Sequence, residues 1–88
     1  MQRTHLLECA SNKITNHSAK KWGPPQRNFS NVADRWSQIL GVQIDTWQVG
    51  LMLVDLQIAR MASTGQPDNE GFIDICGYAA LAGEVVDG

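Results

Sequence analysis

The sequence predicts an all-α protein, a bundle of about four helices in a single domain over residues 1–88. Apolar residues recur at helical spacing in several segments. No stretch of five or more residues alternates apolar and polar side chains as a surface strand does. A chain of 88 residues buries a smaller fraction of its surface than a longer chain does, so we expect homo-oligomerisation to complete the bundle.

The first two helices are predicted on either side of a long loop. Residues 4–14 form the first helix, with Leu6, Leu7, Ala10 and Ile14 on one side. The run Gly23-Pro24-Pro25 cannot continue a helix, so we predict a loop over residues 15–28. The second helix begins near Phe29 and ends at Gly41, and its apolar stripe is Phe29, Val32, Ala33, Trp36, Ile39 and Leu40.

The third helix runs over residues 46–62 and begins with a capping box formed by Asp45 and Gln48. It is apolar almost all round, which predicts that protein covers it on nearly every side. A linker over residues 63–69, with Gly65 and Pro67, leads to the fourth helix, predicted from about Asp68 to Val86.

The last helix carries the residues that most invite a functional interpretation. Glu70, Asp74 and Tyr78 follow one another at four-residue spacing and therefore share one stripe. Small residues beside this stripe allow another helix to approach closely, within the chain or across a symmetry axis; they are Gly77, Ala79, Ala80, Ala82 and Gly83.

Three interpretations of Asp74 are open. It complements the positive start of the helix, it pairs with a cation, or it belongs to a ligand or Mg²⁺ site. A buried carboxylate needs a partner, and Arg60 and Arg27 are the candidates.

The segment around the Gly-Pro-Pro corner offers a second cluster. Lys21, Trp22, Arg27 and Asn28 combine cations, an aromatic ring and the start of a helix, which are elements that hold a phosphate and stack a base. Trp22 alternatively closes one end of the bundle. The candidate ligand-binding residues are Lys21, Trp22, Arg27, Asn28, Arg60, Asp74 and Tyr78.

Composition excludes several classes of protein. The net charge is −2 and the basic residues are scattered, which argues against binding to duplex nucleic acid. Cys9 and Cys76 lie in apolar contexts without metal-ligand spacing, so we expect reduced thiols. The first residues do not resemble a signal peptide, and the longest apolar stretch, residues 49–54, is far too short to cross a membrane. We therefore expect a cytoplasmic protein.

Four segments resemble a family of small phage and prophage proteins of unassigned function: WGPPQRNF, VADRWSQILG, the stretch ending in QIARMA, and EGFIDICGYAALAGE. The resemblance covers about residues 17–84. Arg60, Asp74, Gly77 and Tyr78 match the family pattern, whereas Gln57 stands where a lysine is usual and Cys76 where an alanine is usual. If the chain is encoded by a phage, it acts in the cytoplasm of the host cell.

More distantly, an acidic stripe followed by Gly77, Tyr78 and Ala79 is similar to the last helix of MazG-type all-α nucleotide pyrophosphohydrolases. That resemblance implies four carboxylates that hold Mg²⁺. Here the long helix carries only Asp55 and the second helix only Asp34, and Glu70 and Asp74 have a different spacing.

Our leading hypothesis is a non-enzymatic, cofactor-free oligomer that binds or sequesters a nucleotide or a nucleotide-derived signal. One alternative is a protein that inhibits a host defence complex through surface contacts. The other is a Mg²⁺-dependent nucleoside triphosphate pyrophosphohydrolase.

Overall fold

Helices make up most of the chain in a computed structural model that describes residues 1–87, apart from the side chains of residues 17–19 and 87. The helices are α1 (Arg3–Asn12), α2 (Ala19–Trp22), α3 (Pro25–Leu40), α4 (Thr46–Thr64) and α5 (Asn69–Asp87), and a π-helical segment, Lys13–Ser18, joins α1 to α2. Residues 3–22 are thus helical without interruption, and residues 1–87 contain no strand. The predicted all-α bundle of about four helices is confirmed.

The predicted loop over residues 15–28 is wrong. Residues 15–22 belong to the π-helical segment and α2, and α3 already begins at Pro25. Proline suits the first position of a helix because its missing N–H has no partner there and its φ is already helical. The break is confined to Gly23 and Pro24, where Gly23 takes a φ of 84°, a left-handed conformation that favours glycine.

The other boundaries follow the predicted capping signals. Gly41 ends α3 with a φ of 72°, and its N–H donates to the Ser37 carbonyl at 2.8 Å. A capping box starts α4, in which the Asp45 N–H donates to the Gln48 side-chain oxygen at 2.8 Å. The linker is shorter than predicted, residues 65–68.

An antiparallel hairpin of α4 and α5 forms the centre of the fold. Gly50 lies beside Ala82, and Met61 lies beside Gly71 at the other end. A side chain at Gly50 would place its Cβ 2.6 Å from the Ala82 Cβ, so glycine allows the two helices to touch. Helix α1 packs against α5 and α3 against α4. The hydrophobic core where α3 meets the α4–α5 hairpin contains Phe29, Ala33, Val49, Leu81 and Val85.

The opposite side of the hairpin is uncovered. Within α4, the buried residues are Val49, Gly50 and Gln57. Large apolar side chains elsewhere on this helix are 39–50% exposed; they are Trp47, Leu51, Met52, Leu56 and Ile58. The expectation that protein covers α4 on nearly every side is therefore wrong for the single chain.

Among residues 1–87, no helix combines the length and the apolar character needed to cross a membrane.

Candidate functional site

A cavity of about 320 Å³ lies where α1, the π-helical segment and the start of α3 meet α5. We call it the Tyr78 cavity. Its lining is Ala10, Lys13, Ile14, Trp22, Asn28, Phe29, Leu53, Ile73, Asp74, Gly77, Tyr78 and Leu81. Most of these side chains are apolar or aromatic, and the few polar groups include one cation and one carboxylate.

Lys13 and Asp74 form an ion pair at the polar part of this cavity. The Lys13 Nζ lies 2.5 Å from Asp74 Oδ1 and 3.3 Å from Glu70 Oε2. The Asp74 side chain is only 20% exposed, whereas that of Glu70 is 71% exposed. The hydrogen bond to Asp74 raises the pKa of Lys13 above its ordinary value, because it stabilises the charged ammonium.

The predicted partners of Asp74 are therefore wrong. Among the described residues, neither Arg60 nor Arg27 forms a salt bridge with it; Lys13 does, from 61 positions earlier in the chain. Arg60 is exposed and lines a second, more open groove, to which Asp74 also contributes.

The predicted cluster of Lys21, Trp22, Arg27 and Asn28 lies at the corner between α2 and α3, but only part of it faces the cavity. The Lys21 ammonium lies 5.0 Å from the centre of the Trp22 ring, a cation–π contact. Trp22 lines the cavity and is still 60% exposed, so it stands at its rim. The Arg27 guanidinium lies against Gly23, where a Cβ would come within 2.9 Å of it, and Arg27 is absent from the cavity lining.

Asn28 does not begin a helix, contrary to the sequence-based expectation. It lies in the first turn of α3, and its backbone N–H donates to the Pro24 carbonyl at 3.1 Å. That N–H is consequently occupied and does not face an anion. The residue still contributes to the lining of the Tyr78 cavity.

The fold thus brings together four of the seven predicted site residues, namely Trp22, Asn28, Asp74 and Tyr78. Lys21 adjoins the rim through its contact with Trp22. Arg27 and Arg60 are not part of the cavity lining.

Sequence reasoning missed Lys13, which supplies the positive charge. One signal pointed to it: Lys13 is three residues after Ala10, and this spacing places both on one side of a helix. Ala10 is buried against the core side, so Lys13 faces α5 as well.

Gly77 is the point at which the π-helical segment approaches α5. A Cβ at this position would lie 2.9 Å from the Ile14 Cγ2. The glycine predicted to allow close helix packing therefore does so within the chain, and it keeps this wall of the cavity open.

Few potential metal ligands lie together in this region. In the described part of the chain, no group of three or more His, Cys, Asp or Glu side chains converges as a metal site requires. Asp34 and Asp55 are exposed and take no part in lining the cavity. Aromatic and aliphatic walls with a few polar groups are typical of a small-molecule site.

Comparison with known proteins gives a family without an assigned activity. Over residues 5–86 the chain matches the model of a domain of unknown function, DUF6378. It is also similar to the Gene 55 protein of Mycobacterium phage D29, with 29% identity over 82 residues. That alignment covers 93% of this chain and 54% of the phage protein, so the chain spans about half the length of this relative. No solved structure matches. The predicted resemblance to a small phage family is thereby supported, and the chain belongs to the DUF6378 family.

Proposed function

We propose that this chain is a non-enzymatic binding protein that takes up a nucleotide or a nucleotide-derived signal in the Tyr78 cavity. The observation that carries the proposal is the cavity itself, in which Trp22, Phe29 and Tyr78 accompany Lys13 and Asp74. At about 320 Å³ it is at the small end of the range of roughly 300–1,000 Å³ common for ligand pockets. The proposal includes no cofactor and places the protein in the host cytoplasm.

The lining is suited to the base of a nucleotide. Aromatic rings stack on bases irrespective of sequence, and each stacked base contributes about 1–3 kcal/mol. Asn28 carries a side-chain amide that both donates and accepts hydrogen bonds, and Asp74 accepts them.

The rim is suited to the phosphates. Lys13 already pairs with two carboxylates, so it is not a free cation for an anionic group. Lys21 is exposed beside Trp22, with its ammonium over that ring. A ligand whose base lies between the aromatic walls therefore directs its phosphates outward, toward Lys21.

Binding is favoured over hydrolysis by the position of the acids. A pyrophosphohydrolase of the MazG type needs converging carboxylates that hold Mg²⁺. Among the described residues no three acids converge in this way, and Glu70 and Asp74 meet around a lysine. Resemblance to those enzymes stays a prediction.

A panel of nucleoside monophosphates, nucleoside triphosphates and cyclic dinucleotides tests the proposal by thermal unfolding. A ligand at 100 times its dissociation constant stabilises the folded state by about 2.7 kcal/mol, which raises the Tm by about 10–20 °C in a chain of this size. The same reactions are assayed for released pyrophosphate. A Tm increase without pyrophosphate supports the proposal, and millimolar ligands without any shift, or pyrophosphate release that Asp74→Ala abolishes, contradict it.

The second part of the proposal is that the protein acts as a homo-oligomer. The single chain exposes 6105 Å² of surface, whereas a self-contained monomer of 9.7 kDa exposes about 5,100 Å². The excess of about 1,000 Å² is similar to the area of about 800 Å² that each partner buries in a standard interface.

A further inference from the structure

The side of the α4–α5 hairpin that faces away from α1 and α3 forms one continuous apolar surface, which we call the outer face. From α4 it includes Trp47, Leu51, Ile58 and Ala62, and from α5 it includes Phe72, Ile75, Ala79, Gly83 and Val86. Apart from the half-buried Ile75, its large side chains are well exposed, from 39% at Trp47 to 60% at Val86.

Helical spacing places these residues together. In α4, Trp47, Leu51, Ile58 and Ala62 fall within about 60° of one another at 100° per residue, adjacent to the side that packs on α5. In α5, the same spacing of 100° per residue places Phe72, Ala79, Gly83 and Val86 on one side of the helix. A shallow groove lined by Ile58, Ala62, Phe72 and Ile75 joins the two helices at the hairpin turn.

Charge is nearly absent from this surface. Among the α5 side chains that the structure describes, the acidic residues are Glu70, Asp74 and Glu84. Helical spacing directs all three to other sides of that helix. Asp55 is the charged residue of α4 that borders the outer face, so it lies at the rim of this surface. A surface with an apolar centre and a charged edge has the composition of a homodimer interface.

We propose that the outer face binds a second copy of this chain across a two-fold axis, so that two α4–α5 hairpins form a four-helix bundle. This inference rests on the proposed homo-oligomerisation and specifies the surface it uses. In a two-fold contact the same patch meets itself, so one apolar surface suffices.

The area and the small residues of the outer face support a second copy as the occupant. Ala79 and Gly83 of α5 are small, and a Cβ added at Gly83 would meet no atom within 4 Å. Another helix can therefore approach α5 closely along these two positions. The excess surface of the chain, about 1,000 Å², is the amount that one such contact covers.

Sedimentation equilibrium over micromolar concentrations tests the interface. We expect a mass of twice 9.7 kDa for the natural chain. Leu51→Glu and Ile58→Glu place two carboxylates in each dimer interface, and we expect each variant to dissociate at least about 100-fold more readily. Both side chains are already about half exposed in the single chain, so the helical circular dichroism of the monomer stays unchanged.

Ile39→Glu is the matched control. Ile39 is 76% exposed near the end of α3, outside the outer face, and we expect this variant to dimerise normally. If a glutamate variant loses helicity, the milder Leu51→Ala and Ile58→Ala replace it, and both are expected to weaken the dimer more than Ile39→Ala.

The outcomes separate the two parts of the inference. A natural chain that stays monomeric at 100 μM overturns the oligomer and the interface together, and leaves the outer face for a host protein. A dimer that tolerates Leu51→Glu and Ile58→Glu as well as Ile39→Glu overturns only the outer face as its interface. Neither result depends on nucleotide binding, which the thermal assay measures separately.

Discussion

The ammonium of Lys13 lies 2.5 Å from the carboxylate of Asp74, although 61 positions separate them in the chain. This pair joins the π-helical segment to α5 and forms the polar part of the Tyr78 cavity. It gives Asp74 the partner that a mostly buried carboxylate requires.

The strength of this pair is measurable by a double-mutant cycle. Lys13→Met and Asp74→Asn, alone and combined, should show a coupling of about 0.5–1 kcal/mol in the free energy of unfolding, because the lysine is 42% exposed and solvent screens the interaction. The matched cycle with Glu70→Gln should give a value closer to zero, since Glu70 is largely exposed. Equal couplings in the two urea-unfolding series would show that Asp74 is not the main partner.

The stability of the protein should depend on pH through Lys13. Its folded-state pKa is raised above the ordinary value of 10.5, so the folded state binds this proton more tightly than the unfolded state. The stabilisation is therefore complete below about pH 10.5 and is lost as the pH rises through the folded-state pKa. The difference in unfolding free energy between the natural chain and Lys13→Met should shrink in that alkaline range. A difference that grows with rising pH contradicts the assignment.

Gly50 should tolerate no side chain. Its Cβ would lie 2.6 Å from the Ala82 Cβ and 3.0 Å from the Tyr78 carbonyl oxygen, where backbone cannot move aside easily. Gly50→Ala should therefore lower the free energy of unfolding by up to about 2 kcal/mol, because an overpacking cost of about 1–3 kcal/mol exceeds the gain of about 1 kcal/mol from the higher helix propensity of alanine.

Gly71→Ala is the control for this substitution. Its Cβ would meet the Met61 sulfur at 3.3 Å, and the flexible methionine can turn away. We expect a change within about 0.5 kcal/mol by thermal or urea unfolding. If both alanine variants behave alike, the close contact of α4 and α5 at Gly50 is not as described.

Binding of a nucleotide should depend on the rim tryptophan. Trp22→Ala removes an aromatic surface that stacks on the base, so the dissociation constant should rise about tenfold or more by calorimetry. Trp47→Ala, on the outer face, should leave it unchanged at a concentration where both variants have the same oligomeric state. A larger loss of affinity for Trp47→Ala than for Trp22→Ala would place the site elsewhere.

The helices were predictable where local signals decide them. Gly41 and the capping box of Asp45 and Gln48 set the end of α3 and the start of α4, and both act within a few residues. The loop before α3 was not, because Pro25 can either break a helix or begin one, and the sequence does not distinguish the two. Asp74 was recognised as needing a partner, but only the packing of α1 on α5 selects Lys13 over Arg60.

The most direct test of the central claim is a titration of the ¹⁵N-labelled protein with the nucleotide that raises its Tm most, followed by two-dimensional NMR. Our account predicts saturable shifts of the Trp22 indole N–H and of backbone amides around Asn28, Asp74 and Tyr78. No shifts, or shifts confined to the outer face or to the groove beside Arg60, would contradict it.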